Sequence, residues 1–411
     1  MMPVKELVTK QINRLDLSFR QVAKAVGQNH TSLYNFVNRD TEMKFHSFVP
    51  IAYYLFPDNY QEIIGEYALQ VKQPKNKKAG IEYCELSGQV EKGRKLLEKF
   101  QEEESLQEWI PLYDLLFLRK EKKLNPKELI EQSFELKVSS PELKILYRLM
   151  VGYAYNDLYK FEVCYELLEG LKPLIEQVTN GYMRLSLMVR HNELMGHLSL
   201  HVFGDIQTSR QYNSELIAAD LVEIRYKGSA HYGLGCSYIF ENYEKSVFHF
   251  EQAIELLEKS GRVETAKYVS NFWLALTHIT HDRFSKVQTD DQSLVAYMYA
   301  KCSNTCKALY YLDSYEKENP ISPFTVFVRG LALRDPLIII DSMARYDSIG
   351  EVFLKNYARF AAIELGLPKN FINGIIKYDL KNFEGVEDFE KTFYRNVSSL
   401  DAVRVRRQFY S

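Results

Sequence analysis

Apolar residues three and four apart, with charged residues between them, recur along nearly the whole chain. In 92–100 (Lys-Gly-Arg-Lys-Leu-Leu-Glu-Lys-Phe) and 243–260 (Tyr-Glu-Lys-Ser-Val-Phe-His-Phe-Glu-Gln-Ala-Ile-Glu-Leu-Leu-Glu-Lys-Ser) this spacing predicts amphipathic helices. Gly261 follows the second as a helix stop. Strict alternation of apolar and polar positions is nowhere sustained, so the expected fold class is all-α.

The densest pattern lies in residues 18–39. Ser18-Phe19-Arg20-Gln21 reads as a capping box, with a hydroxyl to cap a helix and a Gln to reach back. Val22, Ala23 and Val26 give that helix an apolar face, and Gly27 stands where a left-handed residue must end it. After Gln28-Asn29 a second helix carries Leu33, Phe36 and Val37 inward. Ala23, Gly27, Leu33 and Phe36 fall at the offsets of a helix-turn-helix, where a small residue permits close crossing, a glycine makes the turn, and two apolar residues lock the pair. The outward residues of the second helix are short donors and acceptors suited to base edges and phosphates. The candidate DNA contacts are Arg20, Gln21, Gln28, Asn29, His30, Thr31, Ser32, Tyr34 and Asn35. An ordinary helical hairpin is the bland alternative.

Residues 71–80, Val-Lys-Gln-Pro-Lys-Asn-Lys-Lys-Ala-Gly, hold four lysines and no acid. They read as a basic linker after an N-terminal domain of 1–70, with Lys75, Lys77 and Lys78 as further phosphate contacts; a plain solvated loop is the alternative. Beyond it, small residues recur loosely at Gly152, Gly196, Gly235, Ala275 and Gly330. Leu234-Gly235-x-x-Tyr238 followed by Phe250-x-x-Ala253 resembles a tetratricopeptide repeat, and Gly152-x-x-Tyr155 with Cys164 and Leu168 keeps the same pattern. Such repeats stack helix pairs into a superhelix with a concave groove. The expected organisation is a helix-turn-helix domain, the linker, repeats over 81–366, and capping helices over 367–411.

Composition narrows the function. Lys plus Arg is 52 against 54 for Asp plus Glu, a net charge of −2, so a uniformly basic nucleic-acid binder is excluded but a small basic module is not. Residues 1–44 carry seven Lys/Arg against four Asp/Glu, a modest balance that calls for a dimer on two half-sites. Neither a signal-peptide pattern nor an apolar run long enough for a bilayer is seen; Pro336 to Ile340 is far too short. Five scattered cysteines suit a reducing compartment, so the expected location is the cytoplasm, without membrane attachment.

The chemistry screen is empty of phosphate-binding, nucleophile-elbow and zinc-protease motifs. Cys302 and Cys306 lack a second pair at ligand spacing. His191, His197 and His201 share helical spacing but read as a packed repeat helix, and Glu102-Glu103-Glu104 as a solvated face. No metal, no cofactor and no enzymatic activity are expected.

The groove offers a peptide site instead. Arg225, Ser229, Tyr232 and Cys236 form one stripe along the first helix of the best repeat. A guanidinium there suits a peptide carboxylate, although a surface ion pair with Glu223 or Asp220 is an equal reading. Asn192 and Asn271 on neighbouring helices are candidates to hold peptide backbone, and Asp347 or Glu351 to take a basic side chain.

A helix-turn-helix joined to tetratricopeptide-like repeats resembles the peptide-pheromone receptors of Gram-positive bacteria. More narrowly, the run Val26-Gly27-Gln28-Asn29-His30-Thr31-Ser32-Leu33-Tyr34-Asn35-Phe36-Val37-Asn38-Arg39-Asp40, with Phe56-Pro57-Asp58 downstream, is similar to the arbitrium receptors of temperate Bacillus phages. A second similar stretch runs from Ile224-Arg225-Tyr226 to Tyr243-Glu244. The resemblance implies a homodimer that binds operator DNA and activates a gene opposing lysogeny until a short secreted peptide fills the groove. It puts Arg225 on a groove arginine, Cys236 where a peptide-binding Asn is expected, and a dimer contact in 367–411. Two other readings remain: a pheromone-responsive regulator of host or plasmid genes, and a protein-interaction scaffold with a vestigial helix-turn-helix.

Overall fold

The structure, a computed structural model, describes residues 3–39 and 41–375, so most of the expected C-terminal segment 367–411 lies outside the described residues. All regular structure among the described residues is helical. The chain forms two compact units. Among the described residues the first comprises 3–39, 41–158, 162–191 and 219–223; the second comprises 159–161, 192–218 and 224–375.

In the first unit the N-terminal helices are α1 (Val4–Arg14), α2 (Phe19–Ala25), α3 (His30–Asn38), α4 (Phe45–Leu55) and α5 (Tyr60–Gln70). They meet on an aromatic centre, with Phe36 against Phe48 and Tyr67 at 5.8 and 5.7 Å between ring centroids. The expected linker is not one. Pro74–Ser87 is a helix, α6, with Pro74 in its first turn, where a missing N–H costs nothing. Asn76 is buried; its side chain accepts from the Phe45 N–H (2.9 Å) and donates to the Met43 carbonyl (2.8 Å). The Glu42 carboxylate takes the N–H groups of Lys72 (2.7 Å) and Gln73 (3.1 Å). These bonds fasten the basic segment to the start of α4, and Ala79 and Gly80 pack inward. Deeper in this unit Arg190 pairs with Glu82 (3.1 Å) and Glu85, all three buried, and the Tyr113 hydroxyl donates to Glu82 at 2.7 Å.

The second unit contains the repeat that the sequence marks most clearly. Helices Ile224–Tyr238 and Tyr243–Lys259 form its hairpin. A Cβ on Gly235 would sit 2.7 Å from the Phe250 ring, so only glycine lets the two helices close. Ser246 donates to the Gly235 carbonyl (2.9 Å), and Asn242 caps the second helix through the Lys245 N–H (3.0 Å). Phe250, Ala253 and Leu257 are fully or almost fully buried, and Gly261 ends the hairpin with φ +77°. The core continues through Trp273, Leu276, Leu294, Phe327 and Tyr357.

Candidate functional site

The helix-turn-helix of the first unit is built as its sequence dictates. Ser18 Oγ accepts from the Gln21 N–H (3.2 Å), and Gln21 Oε1 accepts from the Ser18 N–H (2.7 Å), closing the capping box of α2. Gly27 turns the chain at φ +65°, and the Gln28 N–H returns to the Ala23 carbonyl at 2.8 Å. Asn29 caps α3, its Oδ1 accepting from the Thr31 N–H at 2.8 Å. Val22, Ala23, Leu33 and Phe36 are buried. Arg20, His30, Thr31, Ser32 and Tyr34 are exposed, and Asn35 is half-buried. Arg20, Lys24, Gln28, Asn29, His30 and Thr31 line one open cleft. Tyr34 stands edge-on to Phe19 at 6.0 Å, with the Arg39 guanidinium 5.9 Å from its ring.

The Gln21 side-chain oxygen caps α2 as its capping box requires, and the Asn29 oxygen is engaged in capping as well, which the sequence reading did not assign to it. Of the three lysines, Lys75 is exposed, whereas Lys77 pairs with Glu103 and lies 4.8 Å from the Phe100 ring. Lys78 sits 4.7 Å over Trp109. Helix α6 explains this, because its periodicity turns Lys77 and Lys78 toward neighbouring aromatic rings.

The second unit encloses a cavity of about 400 Å³. One side is formed by Glu193, His197 and His201, another by Ser229 and Tyr232, and a third by Tyr268, Phe272 and Trp273. Asn213, Asp291, Phe324, Tyr346 and Glu351 are among its further lining residues. Three carboxylates lie on the wall, and among the described lining residues there is no Lys or Arg. Glu351 is buried and lies 3.1 Å from His201 Nδ1, and the His197 and His201 rings stack at 4.7 Å. Asp291 caps the helix Gln292–Lys301 through the N–H groups of Ser293 (2.8 Å) and Leu294 (3.2 Å). The cavity is therefore acidic and aromatic, a setting that favours a positively charged group on its occupant.

Ser229, Tyr232 and Glu351 are the expected peptide contacts that the cavity brings together. Cys236 is fully buried among Phe250, Trp273 and Leu276, and burial pushes its thiol well above the usual range. The core closes over the last turn of that helix, so the stripe read from the sequence ends one turn earlier. Asn192 is buried and donates to Glu215 (3.0 Å). Asn271 is off the wall, bonded to Asp290 through its amide and accepting the Asp290 N–H at 3.0 Å. Asp347 pairs with Lys355 and is off the wall, whereas Glu351, the other acid expected to take a basic side chain, lines it. Arg225 lies 4.1 Å over the Tyr226 ring and donates to its hydroxyl. Beside it Arg262 is held down to about 10, by burial first and then by the Arg225 charge, with Glu193 acting in the opposite sense. Sequence reasoning passed over Tyr268, Phe272 and Trp273, and took His197 and His201 for packing alone.

The AimR transcriptional regulator-like family model matches residues 60–365, about three quarters of the chain. The chain belongs to that family. Its relatives include an uncharacterized protein of Bacillus anthracis, 23% identical over 245 residues that span 58% of this chain and 90% of that protein. The AimR transcriptional regulator of Bacillus phage phi3T is 24% identical over 234 residues, 55% of this chain and 60% of the phage protein. Thus the alignment spans somewhat over half of that regulator. In fold, the chain matches a selenomethionine phAimR structure with a TM-score of 0.73 at 18% identity, covering 91% of this chain and all of that one. A phAimR–ligand structure matches with a TM-score of 0.61 at 18% identity, covering 78% of this chain and 97% of that one. The arbitrium-receptor resemblance and the helical repeat fold expected from the sequence both hold.

Proposed function

We propose that this AimR-like chain is a peptide-responsive DNA-binding regulator of the cytoplasm, controlling a phage lysis–lysogeny decision. As a homodimer it binds operator DNA through α3, and a short secreted peptide in the cavity ends that binding. The observation that carries the peptide half is the cavity itself: a half-open, mostly apolar pocket rich in aromatic rings, with carboxylates at Glu193, Asp291 and Glu351. Its volume falls within the range of small-ligand sites. A basic peptide side chain is assigned to the acidic wall. The peptide carboxylate is assigned to Arg225, which is off the cavity wall but on the same helix as the wall residues Ser229 and Tyr232.

The DNA half rests on the exposed polar face of α3 and on Arg20 and Lys24 flanking the same cleft. Being no enzyme follows from this role. The bacterial relative, matched over 90% of its length, favours a second setting with the same mechanism, in which the controlled genes are those of a host or plasmid. The test is a mobility shift on the DNA upstream of the gene, repeated with the peptide encoded by a small secreted-precursor frame downstream. Specific binding that the peptide abolishes is expected. Binding indifferent to peptide would refute the switch, and no specific binding at all would favour a scaffold.

A further inference from the structure

The helical segment that supplies the aromatic wall is irregular. Helix Val263–Tyr268 passes into a π-helical turn, Val269–Leu274, before helix Ala275–Thr280 resumes. Both flanks are anchored in one core, Ala266 on one side and Ala275, Leu276 and Ile279 on the other, and Val269 of the turn itself belongs to it. A π-turn accommodates one residue more than an α-turn without changing the faces that its flanks bury. It is rare, less well bonded, and found disproportionately at functional sites.

Its local effect is visible. A wider turn sets consecutive side chains closer together on one face, and here Phe272 and Trp273 both line the cavity, with Tyr268 beside them. Tyr268 and Phe272 stack at 5.5 Å and 12°, while Trp273 stands edge-on to Phe272 (5.5 Å, 77°) and to Tyr232 (5.5 Å, 76°). Asn271, next in sequence, is turned off the wall. The wall here thus carries the half-buried, stacked rings of Tyr268 and Phe272, with the almost fully buried Trp273 edge-on to Phe272.

We propose that the π-turn Val269–Leu274 is the specificity element of the cavity, retained at a cost in stability because it presents Phe272 and Trp273 together to an apolar side chain of the peptide. This rests on the peptide reading given above. Deleting Ser270, which is not on the wall, restores α-helical phase while the flanks keep their buried faces. Wild type and the deletion variant, each as the full chain, are immobilised and exposed to an equimolar library of synthetic hexapeptides with free termini. Bound peptides are quantified by mass spectrometry, and melting is followed by circular dichroism.

The deletion variant is expected to melt at or above the wild-type temperature and to retain at least about tenfold less of every peptide that wild type enriches. A variant that melts lower or fails to fold makes the turn a structural necessity, and equal retention means the turn does not read the ligand; either result overturns the inference. Phe272→Leu, which leaves the turn in place, should shift the enriched set at its apolar position; an unchanged set also overturns it. If wild type itself enriches no peptide, the peptide reading falls and takes this inference with it.

Discussion

Asn29 offers the sharpest separation of structure from recognition, because its two side-chain atoms have different tasks. Its oxygen caps α3 through the Thr31 N–H at 2.8 Å, which leaves its amide nitrogen as the donor it can offer in the cleft it lines with Arg20, Lys24 and Gln28. Asn29→Ala removes both functions. It should cost about 1 kcal/mol of stability for the lost cap. If the amide reads a base edge, it should also cost about 1–3 kcal/mol of specific binding, one to two decades of affinity. Asn29→Ser keeps a capping oxygen and removes the amide, so its melting should stay within a few tenths of a kcal/mol of wild type while specific affinity falls as far as in Ala. Fluorescence anisotropy on labelled operator and on scrambled DNA, at matched salt, measures the binding; urea titration measures the stability. A Ser variant that binds operator as wild type does, beside an Ala variant that does not, would mean that Asn29 is a cap and nothing more.

Gly235→Ala drives a methyl group to 2.7 Å from the buried Phe250 ring and should destabilise the fold by about 1–3 kcal/mol, read as a lower urea midpoint; an unchanged midpoint would show that the hairpin has slack. Arg190→Met leaves Glu82 and Glu85 buried without their guanidinium, and a loss of about 3–5 kcal/mol is expected in the same titration. His249 is held down to about 4 by burial first, then by His231, Lys245 and Arg210, so the unfolded chain takes up its proton before the folded one does. Its contribution is therefore complete above about pH 6.5 and lost as pH falls toward 4; His249→Gln should lose less urea midpoint than wild type between about pH 7 and about pH 5, and an equal loss counts against it. Arg225→Ala should keep DNA binding and ignore peptide, and amidating the peptide should weaken it on wild type but cost little further on the variant; additive losses by calorimetry would remove the carboxylate assignment.

Much of the architecture was legible because its causes are local. The capping box at Ser18 and Gln21, the left-handed Gly27 and the apolar pair Leu33 and Phe36 are each determined within a few residues, and the structure repeats them. Gly235 opposite Phe250 was legible for the same reason, since the close approach requires a glycine at a fixed offset from a ring. Residues 71–80 misled because composition is silent about tertiary partners. Four lysines and a proline look like a solvated linker, yet one buried amide, Asn76, and one carboxylate, Glu42, hold the segment against α4.

The cavity was only partly legible, and the cause lies in phase. A regular helical count through 263–280 puts Asn271 on the groove face, as the repeat pattern would have it. One additional residue absorbed within Val269–Leu274 carries Asn271 away to Asp290 and brings Phe272 and Trp273 forward. Periodicity averages over such a defect, since the segments before and after it keep their buried faces and the apolar count barely changes. The same averaging hid His197 and His201, whose spacing with apolar neighbours is that of a packing helix. They do pack on each other, and His201 also packs against Phe353, yet both line the cavity with Glu351. A residue can thus satisfy the pattern of a core position and still touch a ligand, because a cavity inside a repeat array is lined by the residues that would otherwise be its core.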